Sequence, residues 1–225
     1  MSIDNSLDRL LTSHGGPVTN GLNARFRKAL KEFAVSQKLQ YSQDNIGNIY
    51  ITRPGRDHEL SSICLTFPLD EPDEHLAFSG AFQAFSHFES HGLKTDLTLL
   101  GWTSTDGKLG GRDFWDTFVF KKEPVGQQVA HLQQFEGLPD PSNFSSSAMI
   151  EIQEYTGRDL TVSGSPVLVT RVKKLAPDHC KIGSSSRKAS RAPEILIQGE
   201  GAEDLAQRLI RDYSDYIAAL FENFD

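Results

Sequence analysis

The sequence contains few sulfur-containing residues and no long apolar run. Only 2 cysteines and 2 methionines occur among its 225 residues. Two cysteines cannot form a disulfide framework, and Cys64, inside the apolar run 63–65, is predicted to be a small buried hydrophobe. No stretch approaches the ~20 apolar residues that a membrane span requires. Residues 1–4 lack a basic region followed by an apolar stretch, so no signal peptide is predicted and a cytoplasmic location is the default expectation.

An excess of positive charge is also absent. The chain has 23 basic and 30 acidic residues and a net charge of −7. Because nucleic acids and anionic membranes are bound through positive potential, neither is an expected partner. Hydrophobic residues make up 38% of the chain, which is too many for a disordered protein and enough for a folded core. The length fits one large domain, or one domain with a small appendage.

Periodicity predicts alternating helices and strands. Helical spacing of apolar residues indicates helices, and short β-branched runs indicate strands. The predicted helices cover 24–39, 74–91, about 112–120 and 203–222, and the predicted strands cover 46–53, 61–67, 96–103, 148–154, 166–172 and 194–197. A joint rich in Pro, Ser and Asn is predicted at 137–147, and a long loop at 173–193. The alternation predicts the α/β class, with a mixed sheet flanked by helices.

Three segments carry a family resemblance. They are Asp44–Tyr50 followed by Pro54-Gly55, Leu100–Gly107 followed by Gly110–Arg112, and Met149–Gly157 followed by Gly164–Val167. Together they resemble the zinc-dependent amidase/hydantoinase/carbamoylase family, a branch of the co-catalytic zinc aminopeptidases and deacylases. The resemblance covers about residues 22–222, and implies the first half of a zinc aminopeptidase-like catalytic domain with a vestigial lid.

The resemblance also divides the chain into regions. It implies a flexible arm at 1–21, an α/β core domain at 22–172, a basic flexible loop at 173–193, and a strand and helix at 194–225 as the lid remnant. Because the family dimerises through its lid, a reduced lid would leave a sheet edge and apolar surface uncovered. A homodimer is therefore expected.

The positions that match the family's metal ligands and base carry mostly unsuitable side chains. The resemblance places these residues there: Pro68, Asp70, Ser79, Thr105, Asp106 and Gln153. Proline has no ligating side chain, and a threonine hydroxyl is a poor base at neutral pH. Only two of the six groups keep a carboxylate. The resemblance therefore implies a protein without metal or cofactor, in which zinc hydrolysis has been lost.

Two functions remain open under this resemblance. In the first, a remnant cleft binds a small amide-like metabolite or a partner through the residues Ser79, Thr105, Arg112, Glu151 and Gln153. In the second, Asp70 and Asp106 at the ends of neighbouring strands catalyse a metal-independent acid–base reaction, such as an isomerisation, cyclisation or dehydration. The alternative to both is that these carboxylates, with Glu151 and Glu154, are solvated residues at strand ends.

Other candidate sites are better explained by solvated surface. His87 and His91 are four residues apart on a predicted helix, a spacing that could hold one metal ion, but no third ligand is evident. Cys180 next to His179 is not expected to be a nucleophile, since adjacent loop residues rarely face each other. Seven cations between 171 and 191 could hold an anionic partner, although a mobile solvated loop is the favoured interpretation.

Overall fold

One mixed β-sheet organises the chain in the computed structural model, which describes residues 24–43, 48–60, 62–69, 74–102, 146–153, 159–184 and 194–222. The eight strands are β1 Gln40–Gln43, β2 Ile49–Arg53, β3 Ser62–Pro68, β4 Leu97–Trp102, β5 Ser146–Gln153, β6 Thr161–Gly164, β7 Lys181–Ser184 and β8 Glu194–Gln198. Their order across the sheet is β1-β2-β4-β3-β5-β8-β6-β7. The predicted fold class is confirmed.

The centre of the sheet is parallel. β3 lies between β4 and β5 and is parallel to both, and β8 is parallel to β5. β2 pairs antiparallel with β4, and β6 pairs antiparallel with β8. The last residues of β3, β4, β5 and β8 therefore lie along one edge, which we call the carboxyl edge. The opposite edge, where these four strands begin, is the amino edge.

Four helices are described, and their bounds are α1 Ala24–Ser36, α2 Glu74–Ser86, α3 Pro166–Leu175 and α4 Ala202–Glu222. α2 packs on β3, β4 and β5, α4 packs on β5 and β8, and α3 packs on β6, β7 and β8. None of the described helices is long and apolar enough to cross a membrane.

Aromatic side chains form much of the interface between α2 and the sheet. Phe78, Phe82 and Phe85 are each 0% exposed and lie on the buried face of this helix. The Phe78 ring lies 5.0 Å from that of Phe67 in β3 and 4.8 Å from that of Phe26 in α1. Full burial of one such side chain contributes about 1.5–3 kcal/mol to folding, so these contacts fix both helices on the sheet.

The prediction of a strand at 166–172 is wrong, because this segment is helix α3. Pro166 occupies the first helical position, where its fixed φ and missing N–H are tolerated. Leu168 and Val172, four residues apart, are the buried residues of the helix. The β-branched residues around them are typical of a strand. The spacing of four between the two buried residues is that of a helix. The strand of this region, β6, precedes the predicted one.

The predicted loop at 173–193 is wrong at 173–175 and 181–184, while 176–180 connects a helix to a strand. α3 continues to Leu175, and residues 181–184 form strand β7, which pairs in parallel with β6. The 74–91 helix ends earlier than predicted, at Ser86. The arm at 1–21, the helix predicted at 112–120 and the joint at 137–145 lie outside the described residues.

The strand and helix assigned to a lid remnant are part of the main sheet and its helical layer. β8 is paired on both sides, with β5 and with β6, and α4 covers β5 and β8. The strand at 194–198 is therefore not an uncovered edge. The homodimer expectation depended on such an edge and stays a prediction without support from this strand.

Candidate functional site at the carboxyl edge

The carboxyl edge brings together the ends of strands that are distant in sequence. Pro68, the last residue of β3, is in register with Trp102, the last residue of β4. Gln153 at the end of β5 is in register with Gln198 at the end of β8. Thr161, which begins β6, faces Gln198 in the next pair. The edge therefore presents five neighbouring strand ends.

The strand order singles out one position along this edge. The strand that follows β3 in the chain, β4, lies on one side of β3. β5 lies on the other side, and the strands that follow β5 extend the sheet away from β3. β3 and β5 are adjacent, and the chain leaves them in opposite directions. In open α/β sheets such a switch point opens a crevice beyond the carboxyl ends of the strands, where ligands bind. The crevice between β3 and β5 is therefore the candidate site.

Two of the predicted cleft residues are in β5 at this position. Glu151 is in register with Thr66 of β3, and Gln153 ends the strand. The Thr66 side chain is 0% exposed, and its hydroxyl oxygen has no hydrogen-bond partner among the described residues. A buried hydroxyl without a partner is unusual, because leaving it unsatisfied costs about 1–3 kcal/mol. An unused polar atom therefore lies two residues before the end of β3.

Ser79 is on α2, the helix that follows β3. α2 begins at Glu74, a few residues after the end of β3, so its amino-terminal end is on the side of the carboxyl edge. Ser79 is half-buried in the second turn, and its hydroxyl accepts a hydrogen bond of 3.3 Å from Nε2 of Gln83. A neutral hydroxyl occupied in this way cannot replace a carboxylate that bridges two metal ions.

Four predicted site residues lie outside the described residues: Asp70, Thr105, Asp106 and Arg112. The same is true of Glu154. The strands that lead to them are described, however. β3 ends two residues before Asp70, β4 ends three residues before Thr105, and these two strand ends are in register.

The described part of the carboxyl edge contains few residue types that bind zinc. Zinc is held by imidazole, thiolate or carboxylate groups. β3 ends in Pro68, whose side chain has no donor atom, and α2 offers the hydroxyl of Ser79. Across the described ranges, no group of three or more His, Cys, Asp or Glu side chains could hold a metal ion.

Close packing fixes the ends of β3 and β4 relative to each other. A Cβ atom placed on Gly101 would lie 2.9 Å from side-chain atoms of Leu69 and of Phe67. Leu69, directly after β3, is 3% exposed, so the chain leaving the strand is held in the core. The glycine of the 100–103 segment therefore has a packing role as well as a place in a motif.

The histidine pair predicted on one helix face is not on a helix. α2 ends at Ser86, before His87, and His91 has a left-handed φ of 61°. His91 makes a hydrogen bond of 2.7 Å from Nδ1 to the carbonyl oxygen of Gly55, at the amino edge. The i, i+4 arrangement is therefore wrong, and the ring of His91 stabilises a loop.

Cys180 and two cations of the basic segment, Arg171 and Lys181, are partly buried or paired with other side chains. Burial raises the pKa of the Cys180 thiol, which disfavours the nucleophilic thiolate. Arg171 donates to Oδ2 of Asp212 at 2.5 Å and stacks on the ring of Tyr216 at 3.7 Å. Lys181 pairs with Asp159. The interpretation as a mobile, solvated loop is therefore wrong for Arg171, whereas Lys181 lies in β7 with an exposed side chain.

Two residues of the carboxyl edge were not predicted from the sequence. The hydroxyl of Thr161 donates to Oε1 of Gln198 at 3.4 Å, and both side chains are partly accessible. Neither residue belongs to a motif, and only the pairing of β6 with β8 brings them together. Their proximity at the carboxyl edge therefore follows from the strand pairing and not from any sequence pattern.

Comparisons with known proteins address the fold. No family model matches the sequence, and no curated protein matches it. A structure of PhTET1-12s, solved with a dodecamer in the asymmetric unit, is similar with a TM-score of 0.57 and 10% identity, over 95% of this chain and 99% of that chain. A candidate zinc-dependent exopeptidase from Bacteroides vulgatus is similar with a TM-score of 0.54 and 11% identity, over 95% of both chains.

An amidase of the hydantoinase/carbamoylase family from Burkholderia multivorans is more distant in structure. It aligns with a TM-score of 0.46 and 14% identity, over 96% of this chain and 73% of that chain. Because the Bacteroides alignment spans 95% of both proteins, the expectation that this chain corresponds only to a first half is not confirmed. The chain has the mixed α/β fold found in zinc-dependent exopeptidases.

Proposed function

We propose that this chain binds a small amide-like metabolite in the crevice between β3 and β5 and does not perform two-zinc hydrolysis. The observation that carries the proposal is the switch point at the carboxyl edge, where β3 ends in Pro68, a residue without a donor side chain. Ligands commonly bind at such switch points in open α/β sheets, which supports the proposal. Gln153, at the end of β5, and Thr66, near the end of β3, carry an amide and a hydroxyl group, which suit hydrogen bonding to an amide.

The direct test of this function is ligand binding to the full chain. Hydantoin and N-carbamoylglycine serve as probes of the amide-like class, and the binding is followed by calorimetry. Gln153→Ala removes an amide at the end of β5 and is expected to weaken binding about tenfold. Gln43→Ala, on the exposed end of the edge strand β1, is the matched control and should bind as the wild type does. Equal loss in both variants would contradict the assignment.

The metal-free part of the proposal has a separate test. The untagged chain, purified without chelator and challenged with Zn²⁺, is expected to retain less than about one-tenth equivalent of zinc after gel filtration. Retention of one or two equivalents would refute the loss of the zinc centre. It would not by itself contradict ligand binding, so the two parts of the proposal can fail independently.

A metal-independent acid–base enzyme is the second candidate function. It is favoured by the register between Pro68 and Trp102, because Asp70 and Asp106 follow these two strand ends by two and four residues. Two carboxylates near each other tend to have raised pKa values, which suits proton transfer near neutral pH. Asp70→Asn and Asp106→Asn are expected to abolish turnover under this function. Under the binding function, they leave partner or ligand binding largely intact.

A further inference from the structure

A groove of about 330 Å³ lies on the helical layer, where α4 passes the ends of α2 and α3. It is separate from the carboxyl edge, because its lining comes from α3, α4 and the turn after α2, and not from strand ends. The lining residues that matter to the argument are His87, Leu175, Arg208, Arg211, Asp212 and Asp215. We call it the α4 groove.

The two acidic residues of the α4 groove are balanced by cations that do not line it. Asp212 accepts a hydrogen bond of 2.5 Å from Nη1 of Arg171. Asp215 lies 4.0 Å from Nζ of Lys94. Their negative charges are therefore partly neutralised from outside the groove.

The two arginines of the groove are held in place, and among the described residues each keeps N–H donors that no acceptor uses. Arg208 donates from Nη1 to the carbonyl oxygen of Leu175 at 2.9 Å, which orients its guanidinium. Arg211 lies 5.7 Å above the ring of Phe88, and the ring of His87 meets the same phenylalanine edge-on at 5.1 Å. No carboxylate in the described ranges pairs with any of these three basic side chains.

We propose that the α4 groove binds a phosphate-type oxyanion carried by a small molecule. Arg208 and Arg211 are three residues apart on α4, so their Cβ atoms are about 5–6 Å apart on one helix face. Two guanidinium groups at this spacing can donate to one tetrahedral oxyanion, and the planar fork of arginine suits phosphate geometry. The lining holds two arginines and two aspartates, and the pairing of the aspartates with Arg171 and Lys94 leaves the arginines free to attract an anion. This inference does not depend on the function proposed for the carboxyl edge.

The probe is pyrophosphate, titrated into the full chain by calorimetry at an ionic strength held constant with sodium chloride. We expect saturable binding to the wild type. Arg208→Gln and Arg211→Gln should each weaken the affinity about tenfold, since each removes charge-assisted hydrogen bonds to the anion. Lys28→Gln removes the same charge from the exposed face of α1 and should leave the affinity unchanged.

Backbone amide shifts give a second readout that does not depend on the variants. Pyrophosphate should shift the amides of 207–215 and 87–88 more than those of the β-sheet. Absence of saturable binding, equal loss with Lys28→Gln, or shifts confined to other segments would overturn the proposal. If acetate competes as strongly as inorganic phosphate at equal ionic strength, the assignment to a phosphate-type anion is wrong.

Discussion

Ser214 connects α4 to the amino edge and provides a sensitive test of the structure. Its hydroxyl oxygen accepts hydrogen bonds of 3.1 Å from the backbone N–H groups of Lys94 and Thr95 and from the hydroxyl of Thr95. Ser214 is 1% exposed and Thr95 is 0% exposed. The contact joins segments about 120 residues apart in sequence, so it forms only in the folded chain.

Ser214→Ala leaves donors without an acceptor in the interior. A buried donor that loses its partner costs about 1–3 kcal/mol, and the two donors of Thr95 are fully buried. The hydroxyl of Thr95 can rotate toward another acceptor, whereas its backbone N–H cannot. We therefore expect the free energy of unfolding to fall by about 2–4 kcal/mol. This is a large share of the 5–15 kcal/mol typical of a domain.

Urea unfolding followed by far-ultraviolet circular dichroism measures this loss. Ser36→Ala is the matched control, because its hydroxyl bonds to the carbonyl oxygen of Phe33 on the exposed end of α1. It should change stability by less than about 0.5 kcal/mol. The double variant Ser214→Ala with Thr95→Val should lose less than the sum of the single losses, because it also removes a stranded donor. A Ser214→Ala variant as stable as the control would refute the reasoning.

Three further predictions concern other packed positions. Gly55→Ala should destabilise the fold by about 1–3 kcal/mol, because its Cβ would lie 2.4 Å from backbone atoms of the neighbouring loop. Gly183→Ala, whose nearest atom is 4.0 Å away, should be nearly neutral in the same unfolding assay. Arg171→Met should lower the unfolding free energy by about 1–2 kcal/mol, since it removes an ion pair and a stacked ring contact. Iodoacetamide should modify Cys180 more slowly than a free thiol does at about pH 8, because a raised pKa lowers the thiolate fraction, and equal rates would contradict this.

Much of the fold could be predicted because local patterns and tertiary packing agree. The apolar residues of 203–222 recur at helical spacing, and α4 covers 202–222. The alternation of helices and strands gave the class, and the central strands appear within a few residues of their predicted bounds. The segment 166–172 shows the limit of this approach. Its run of Val, Leu and Thr fits a strand by composition, while burial of Leu168 and Val172 follows the helical period.

The candidate site could be predicted only in part, because a sheet edge is a property of topology. Glu151 and Gln153 were selected from a motif, and the structure places them in the strand that borders the switch point. Thr161 and Gln198 belong to no motif and meet only because β6 pairs with β8. His91 shows the reverse case, since its spacing from His87 suggested a shared face, and a left-handed backbone turn after α2 removes that face.

The amino and carboxyl edges of the sheet differ in the hydrogen bonds of their side chains. Substitutions at the two edges should therefore have different effects. At the amino edge, Asp96 accepts one hydrogen bond from the backbone N–H of Gly55 and contacts His58, and Ser214 bonds α4 to the same region. These contacts make the amino edge a structural junction. At the carboxyl edge, the Gln198 side chain is half-buried and accepts a long hydrogen bond of 3.4 Å from Thr161, which contributes little to stability. Substitution of Gln198 should therefore change ligand binding more than stability, whereas substitution of Asp96 should do the opposite. A Gln198→Ala variant that loses stability without losing ligand affinity would show that the carboxyl edge is also structural.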